Sequence, residues 1–450
     1  MKNWSKNLKT LAQIAMKINL QKYSEYKDSG VEWLGEIPNH WDLTRLGTRF
    51  EERKTKVSDK NFPPLSVTKN GTIPQLDSAA KSNDGDNRKL VKTGDFVINS
   101  RSDRKGSSGI AYQNGSVSLI YIVMEPKGIH SNYCNYLLKS YNFIEEFYRM
   151  GHGIVADLWT TRYDEMKAIM VGIPSYEEQT AIANFLDRKT ALIDQAVDIK
   201  QKQIELLKER RQILIHKAVT RGLNADAKLK DSGVEWIGQI PEGWEVKKLR
   251  YLANCFPSNV DKHSKPNERE VRLCNYTDVY KNDYITNDLD LMIATASDEQ
   301  INKFALKEGD IVITKDSETA SDIAVPTYIQ ETLKNVVCGY HLAIIRTYQS
   351  SYSRYLYQAL KTKLFNTQFE ICSNGITRVG LGNSDLKNGY FLLPTQKEQI
   401  QIADFIEKES FRIAAAISLK QQEIEKLKEY KATLINSAVT GKIKISNYAK

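Results

Sequence analysis

Two stretches of the chain share one apolar pattern. Over residues 182–218 the apolar side chains stand at Ile182, Leu186, Ile193, Val197, Ile204, Leu207, Leu214 and Ala218. Steps of three, four and seven describe one face of a long helix, the seam of a coiled coil. The pattern returns at an offset of 220 (402 minus 182) as Ile402, Ile406, Ile413, Ile417, Ile424, Leu427, Leu434 and Ala438. At 1.5 Å per residue each seam would reach roughly 54 Å. Glycine C-caps are expected at Gly222 and Gly441. Charged residues continue the seam at Lys189, Lys200 and Arg211, and in the twin at Glu409, Lys420 and Lys431. Charges there weaken a homotypic dimer but fix register and orientation. Two matching helices in one chain pair most simply with each other; pairing of each with a different protein is the competing reading.

Ahead of each helix the period changes. Residues 46–172 and 249–392 are irregular and strand-rich. A Gly-Asp turn feeds a β-branched, aromatic run at 92–98, and another at 307–313. Residues 117–124 predict a strand and 132–147 a helix; 341–346 and 353–363 answer them in the second half. Trp4, Leu8, Leu11, Ala15 and Ile18 predict a further short helix, packed on the nearest core.

A third signal is literal repetition. Asp28-Ser-Gly-Val-Glu-Trp33 returns unchanged as Asp231-Ser-Gly-Val-Glu-Trp236, an offset of 203 (231 minus 28). Ile-Pro follows at Pro38 and Pro241, then Trp41 and Trp244; the glycines and prolines imply turns. The period is too long for a solenoid or propeller and describes a duplicated half-molecule. The expected order is an N-terminal helical segment (1–25), a first domain (26–172), a central helix (173–223), a second domain (224–392), a C-terminal helix (393–441) and a tail (442–450). The expected fold class is α+β: two mixed α/β globules separated by two matching helices in an antiparallel coiled coil, with a pseudo-two-fold repeat.

The net charge of +9 over 450 residues favours a polyanionic partner without requiring one. The five cysteines are scattered, odd in number and without C-x-x-C spacing. Neither a disulfide framework nor a zinc site is expected, and a reducing cytoplasm fits. The apolar run 11–16 is too short for a signal or a span, so no membrane partner is expected. There is no G-x-x-x-x-G-K-[ST] loop, no G-x-G-x-x-G after a strand, and no metal-ligand spacing among the six histidines. No covalent chemistry by this chain is expected.

Nucleic-acid contact has better candidates. Asn99-Ser-Arg-Ser-Asp-Arg-Lys105 follows the first Gly-Asp strand and sets Asn99, Arg101, Arg104 and Lys105 among short polar residues. Arg and Asn suit bidentate contacts to base edges, Ser and Lys contacts to phosphate. A solvated surface loop is the bland alternative. Lys315 takes the equivalent place in the second half, beside acidic Asp316 and Glu318. Lys69 and Asn70 lie in one further candidate loop, and Asn374 and Arg378 in another, whose Gly375-Ile376 is answered by Gly153-Ile154. Asn275, with Tyr276, Tyr280 and Tyr284, forms a last candidate surface, for which core or rim packing is the other reading.

The layout resembles the DNA specificity subunits of type I restriction–modification enzymes. The resemblance rests on the paired Ser-Gly-Val-Glu-Trp-(Leu/Ile)-Gly-x-Ile-Pro blocks at 29–38 and 232–241 and the paired Gly-Asp-(Phe/Ile)-Val-Ile strands at 94–98 and 309–313. Paired helix starts complete it: Pro174 with Glu178 and Gln179, Pro394 with Glu398 and Gln399. It implies a non-catalytic, cytoplasmic reader whose two target recognition domains each read half of a split site in double-stranded DNA, with the coiled coil setting the unread gap. The implied partners are two methyltransferase subunits, which carry S-adenosylmethionine and modify adenine N6, and a motor-nuclease subunit using ATP and Mg. No cofactor is expected on this chain. The alternative is a coiled-coil protein-interaction scaffold with no nucleic-acid role.

Overall fold

The computed structural model describes residues 21–76, 85–153 and 159–445; the helical stripe expected over Trp4 to Ile18 lies outside them. The chain forms two compact units, Met1–Lys202 with Lys420–Lys450, and Gln203–Leu419. Each unit therefore includes part of each long helix.

Unit one begins with the repeated motif as a hairpin, β1 (Tyr26–Asp28) against β2 (Glu36–Pro38). The Asp28 carboxylate accepts the Gly30 N–H at 2.9 Å, and Gly30 and Gly35 take left-handed φ of 65° and 58°. That conformation is why glycines recur there. β3 (Asp42–Arg45) pairs with β13 (Met170–Ile173). The main sheet runs β10-β9-β12-β4, from Ser108–Ile110, Phe96–Asn99, Tyr121–Pro126 and Phe50–Glu52. A second has β11 (Gly115–Val117), β8 (Arg88–Val91) and β5 (Lys56–Val57), and β6 (Leu65–Thr68) with β7 (Gly71–Pro74) makes a separate hairpin.

The Gly-Asp strand, β9, is buried on both faces. Phe96 and Ile98 join the large core with α1 (Ser131–Leu138) and α2 (Tyr141–Arg149), while Val97 joins a smaller cluster with Leu65, Val91 and Val123. A strand covered on both sides reads as a continuous apolar run. Asp95 ahead of it is buried, accepting the Lys92 N–H at 2.8 Å and the Arg53 guanidinium at 2.7 and 3.0 Å.

Two expected elements are split. The strand expected over 117–124 divides into β11 and β12 because the chain turns through Ser118, whose carbonyl accepts from Tyr121 N, and changes sheets. The helix expected over 132–147 breaks at Ser140, whose hydroxyl caps α2 at Phe143 N. A short α3 (Tyr163–Met166) precedes β13 and the long α4 (Tyr176–Arg221).

Unit two repeats the plan. β14 (Leu229–Asp231) and β15 (Gln239–Pro241) form the motif hairpin, and β16 (Glu245–Lys248) pairs with β27 (Tyr390–Leu393). The main sheet runs β17-β25-β21-β23-β19, from Ala253–Pro257, Leu342–Thr347, Ile311–Thr314, Pro326–Ile329 and Tyr284–Ile285. A second has β20 (Met292–Ala296), β18 (Arg269–Cys274) and β24 (Val336–Cys338). Two further short strands, β22 (Asp316–Ser317) and β26 (Val379–Gly380), pair with each other. The helices are α5 (Tyr276–Lys281), α6 (Asp298–Phe304), α7 (Ser350–Leu360), α8 (Lys363–Cys372), α9 (Asn383–Asn388) and the long α10 (Gln396–Val439). β21 is again split between two cores, Ile311 and Ile313 in one, Val312 in the other. Asp310 again caps its own turn, but its arginine is Arg346 of β25, at 2.6 and 2.7 Å, whereas Arg53 follows β4.

In both units the repeated tryptophan joins the start of one long helix to the end of the other. Trp41 Nε1 donates to Glu178 at 3.2 Å in the first turn of α4, and a Cβ on Gly441 would lie 3.2 Å from the same ring. Trp244 Nε1 donates to Glu398 at 3.3 Å in the first turn of α10, with Gly222 packed on its ring. The helices are therefore antiparallel. In unit one Lys200 pairs with Glu423 at 2.6 Å and Asp194 with Lys431 at 2.7 Å, beside Ile193, Leu427 and Leu434. In unit two Ile215, Ala218 and Val219 pack with Ile402 and Ile406. Every position of the expected seam is buried or half-buried.

Candidate nucleic-acid interface

In unit one the chain leaves β9 into a 3-10 turn, Ser102–Arg104, before returning as β10. A second segment lies along it: Thr160 bridges Arg101, and His152 and Thr160 exchange backbone bonds of 3.0 and 2.9 Å. Trp159 fastens this segment by donating Nε1 to the Tyr148 carbonyl at 2.7 Å. Gly153 is exposed, while Ile154 lies outside the described residues. Arg101 and Arg104 are exposed; the Arg104 Nε lies 3.7 Å from Asp103. Lys105 is held by Glu145 at 2.7 Å and lies over the Tyr148 ring.

Asn99 departs from its expected role. It is 1 % exposed, and its carboxamide oxygen accepts the Arg101 N–H at 2.9 Å. It belongs to the two-faced strand, so its side chain shapes the loop and does not reach a base edge. Lys69 and Asn70 form the exposed tip of the β6–β7 hairpin. Thr72 of β7 bonds the Ile110 carbonyl at 2.9 Å, which sets that hairpin against β10.

In unit two, β22 follows the Gly-Asp strand and pairs with β26, which lies along it as Thr160 lies along Arg101. The side chains differ. Lys315 is half-buried and gives its ammonium to Asp316 at 2.7 Å; Asp316 also meets His341 Nδ1 at 3.2 Å. His341 Nε2 lies 3.0 Å from an Arg378 guanidinium nitrogen. Arginine only donates, so this contact sets His341 as the Nδ1–H tautomer, donating to Asp316 and accepting from Arg378. Arg378 is thereby anchored by one nitrogen with the rest of its fork exposed. Asn374 is exposed and bonds the Cys372 carbonyl at 3.0 Å, and Ile376 stands fully exposed at the tip.

Asn275 starts α5, its N–H accepted by Asp278 at 2.8 Å and its amide turned to the Leu273 carbonyl at 3.3 Å. That satisfied amide serves the helix start more directly than an external ligand. Tyr276 and Tyr280 stack at 5.6 Å; Tyr276 bonds Ser317 at 3.0 Å and Tyr280 bonds Asp322 at 3.3 Å, joining both to this loop cluster. The Asp322 carboxylate raises the Tyr280 hydroxyl above its usual pKa. Tyr284 packs on Tyr357 and takes the other reading, core rim. Sequence reasoning missed His341 as a positioning group, because 25 and 37 residues separate it from its partners.

Among the described residues no His/Cys/Asp/Glu group could hold a metal ion, and no helix is long and apolar enough to cross a membrane. Each unit thus presents exposed arginine on loops at one end of a buried strand. Residues 241–429 match the family described as type I restriction modification DNA specificity domain. Those residues thus resemble a type I DNA specificity domain. The full chain is similar to specificity subunits: it is 23% identical to the type I restriction enzyme MjaVIII specificity subunit of Methanocaldococcus jannaschii, over 96% of this chain and 99% of that one. The putative MjaX specificity subunit of the same organism is 22% identical over 96% and 100%. A chain from a structure titled for complex assembly and conformational transition of the type I R-M system superposes with TM-score 0.67 at 14% identity, over 90% and 98% of the two chains. The HsdS subunit from Thermoanaerobacter tengcongensis gives 0.52 at 15%, over the same shares. The fold of each unit is therefore shared with these chains.

Proposed function

We infer that this chain is the DNA specificity subunit of a type I restriction–modification complex. Each unit reads one half of a bipartite target in double-stranded DNA, and the paired helices set the unread gap. The observation that carries this reading is one backbone arrangement holding two different chemistries. After the Gly-Asp strand, unit one presents Arg101 and Arg104, whereas unit two presents an Asp316-His341-Arg378 chain beside stacked tyrosines. A frame kept while its loops diverge is what reading two unlike half-sites requires. A protein-binding scaffold gives no reason for exposed arginine near the end of the Gly-Asp strand in both units.

The chain itself supplies recognition and no covalent step. Methylation of adenine belongs to methyltransferase subunits, two per complex, that bring S-adenosylmethionine; cleavage belongs to a motor-nuclease subunit using ATP and Mg. The assembly acts in the cytoplasm. Mapping methylated adenines in cells with and without the gene tests the reading: a motif of two half-sites around a fixed gap should disappear with the gene. One contiguous half-site would refute it. Inserting one heptad into both α4 and α10 should widen the gap by about three base pairs, roughly 10 Å of helix, leaving both half-sites unchanged.

A further inference from the structure

A cleft of about 660 Å³ opens in unit two between the last turns of α4 and the α7–α8 junction. Its walls carry Arg211, His216, Lys217, Lys361 and Lys363 against one carboxylate, Asp283. Asp283 is taken by Lys361 at 2.7 Å, and Lys363 is held by Glu370 at 2.5 Å. That leaves Arg211 and Lys217 without a carboxylate partner among the described residues. The Nε of Arg211 is buried, with no hydrogen-bond partner among them. Burial pushes the Lys361 ammonium pKa down; Asp283 opposes this, while the nearby Arg211 cation adds to it. Two cations thus face one another in a partly desolvated space. The first-turn N–H groups of α8 start at the same wall, where Thr362 caps the helix. Every one of these features favours an anion.

The position of the cleft narrows the choice of anion. Ser321, from the turn Ala320–Asp322, reaches its rim. The same turn is tied to the loop cluster through Thr314 and Tyr280, at 2.6 and 3.3 Å. The cleft therefore borders the arginine-bearing loops, where a duplex entering them would carry its backbone.

We propose that this cleft seats a backbone phosphate of the duplex DNA flanking the half-site read by unit two, with Arg211 and Lys217 as its principal contacts. The proposal rests on the specificity reading above, and it assigns the cleft to affinity and not to sequence. Phosphate contacts position a protein on DNA; base contacts specify.

The test measures duplex binding by fluorescence anisotropy at 50 and 200 mM salt, using the full chain co-purified with its methyltransferase subunits. Cognate duplex, taken from the methylation map, is compared with an unrelated duplex. Arg211→Gln and Lys217→Gln, singly and together, should weaken both duplexes by the same factor and leave the methylated motif unchanged. Each lost contact should flatten the slope of log affinity against log salt by about 0.9, which is about 3.5-fold across this salt range. Arg211→Lys should recover part of the slope. Lys217→Gln removes an exposed charge, so its share is readable even if Arg211→Gln perturbs folding. An unchanged slope with sequence preference intact overturns the phosphate seat alone. A flattened slope in a complex with no sequence preference overturns the specificity reading and leaves the seat standing. Stabilisation of the chain by inorganic phosphate with an unchanged DNA slope also overturns the seat.

Discussion

Glu178 is the acceptor on which the first tryptophan motif depends. Its carboxylate takes the Trp41 indole N–H at 3.2 Å, the Tyr23 hydroxyl, and the exposed His40 ring at 3.0 Å. Trp41 and Tyr23 are 1 % and 9 % exposed. Burial first, and then the bond to Glu178, raises the Tyr23 pKa well above the usual tyrosine range, so the hydroxyl remains a donor under ordinary conditions. Glu178→Ala leaves two buried donors unpaired. At about 1–3 kcal/mol for each, the loss is about 2–6 kcal/mol, with about 0.3–1 more for removing a carboxylate from a helix N-terminus. A double-mutant cycle isolates the mechanism: in a Tyr23→Phe background one donor is already gone, so Glu178→Ala should cost about 1–3 kcal/mol less. A chain of two units need not unfold in one step, so the assay is hydrogen exchange of amides around β2 and the start of α4. Equal costs in the two backgrounds, within about 0.5 kcal/mol, would refute the reasoning.

The long helices give a pH prediction. Burial alone would raise the Glu423 pKa, but hydrogen bonds and charge from Lys200 and Lys420 outweigh it, and the net shift is downward. A carboxyl depressed in the folded state contributes stability above its unfolded pKa, near 4.3, that is lost as pH falls through the folded value. Glu423→Gln should therefore lower thermal stability at pH 7 and flatten the acid limb, so that the variant and the parent converge at low pH; an unchanged acid limb would count against the pairing. Gly441 has φ 73° and a Cβ there would lie 2.3 Å from Pro38, whereas at Gly222, also φ 73°, it would lie 3.2 Å from Trp244. Gly441→Ala should cost more than the about 1–2 kcal/mol of left-handed strain expected from Gly222→Ala, read as the difference in melting temperature. Arg378→Ala should relax the methylated motif at one position, at about 1–3 kcal/mol of discrimination, and His341→Phe should do so partly by releasing the Arg378 fork. Uniform loss across sequences in a methylation assay would make Arg378 a phosphate contact instead.

Periodicity and repetition were enough to describe the frame. The seam from Ile182 to Ala218 and its copy, the motif turns with positive-φ glycines, and the buried strands after Asp95 and Asp310 are local signals. Each follows from the spacing of apolar residues or from a backbone conformation that only glycine adopts cheaply. Breaks within elements were less legible. Ser140 and Thr362 cap new helices, but a serine or threonine inside an apolar pattern is as readily tolerated by a continuing helix. The split at Ser118 depends on which sheets β11 and β12 join, and that pairing is non-local.

The candidate surface shows the same division more sharply. The sequence by itself determined which loops follow the Gly-Asp strands, that they carry Arg101, Arg104 and Lys315, and that Arg378 lies on a further loop. Tertiary structure alone decided that Asn99 is buried against its own loop, that His341 stands between Asp316 and Arg378, and that Arg211 meets Lys361 across a cleft. Burial and charge pairing at these places depend on neighbours far away in the chain. A pattern along the sequence records what a residue is, and only packing decides what it faces.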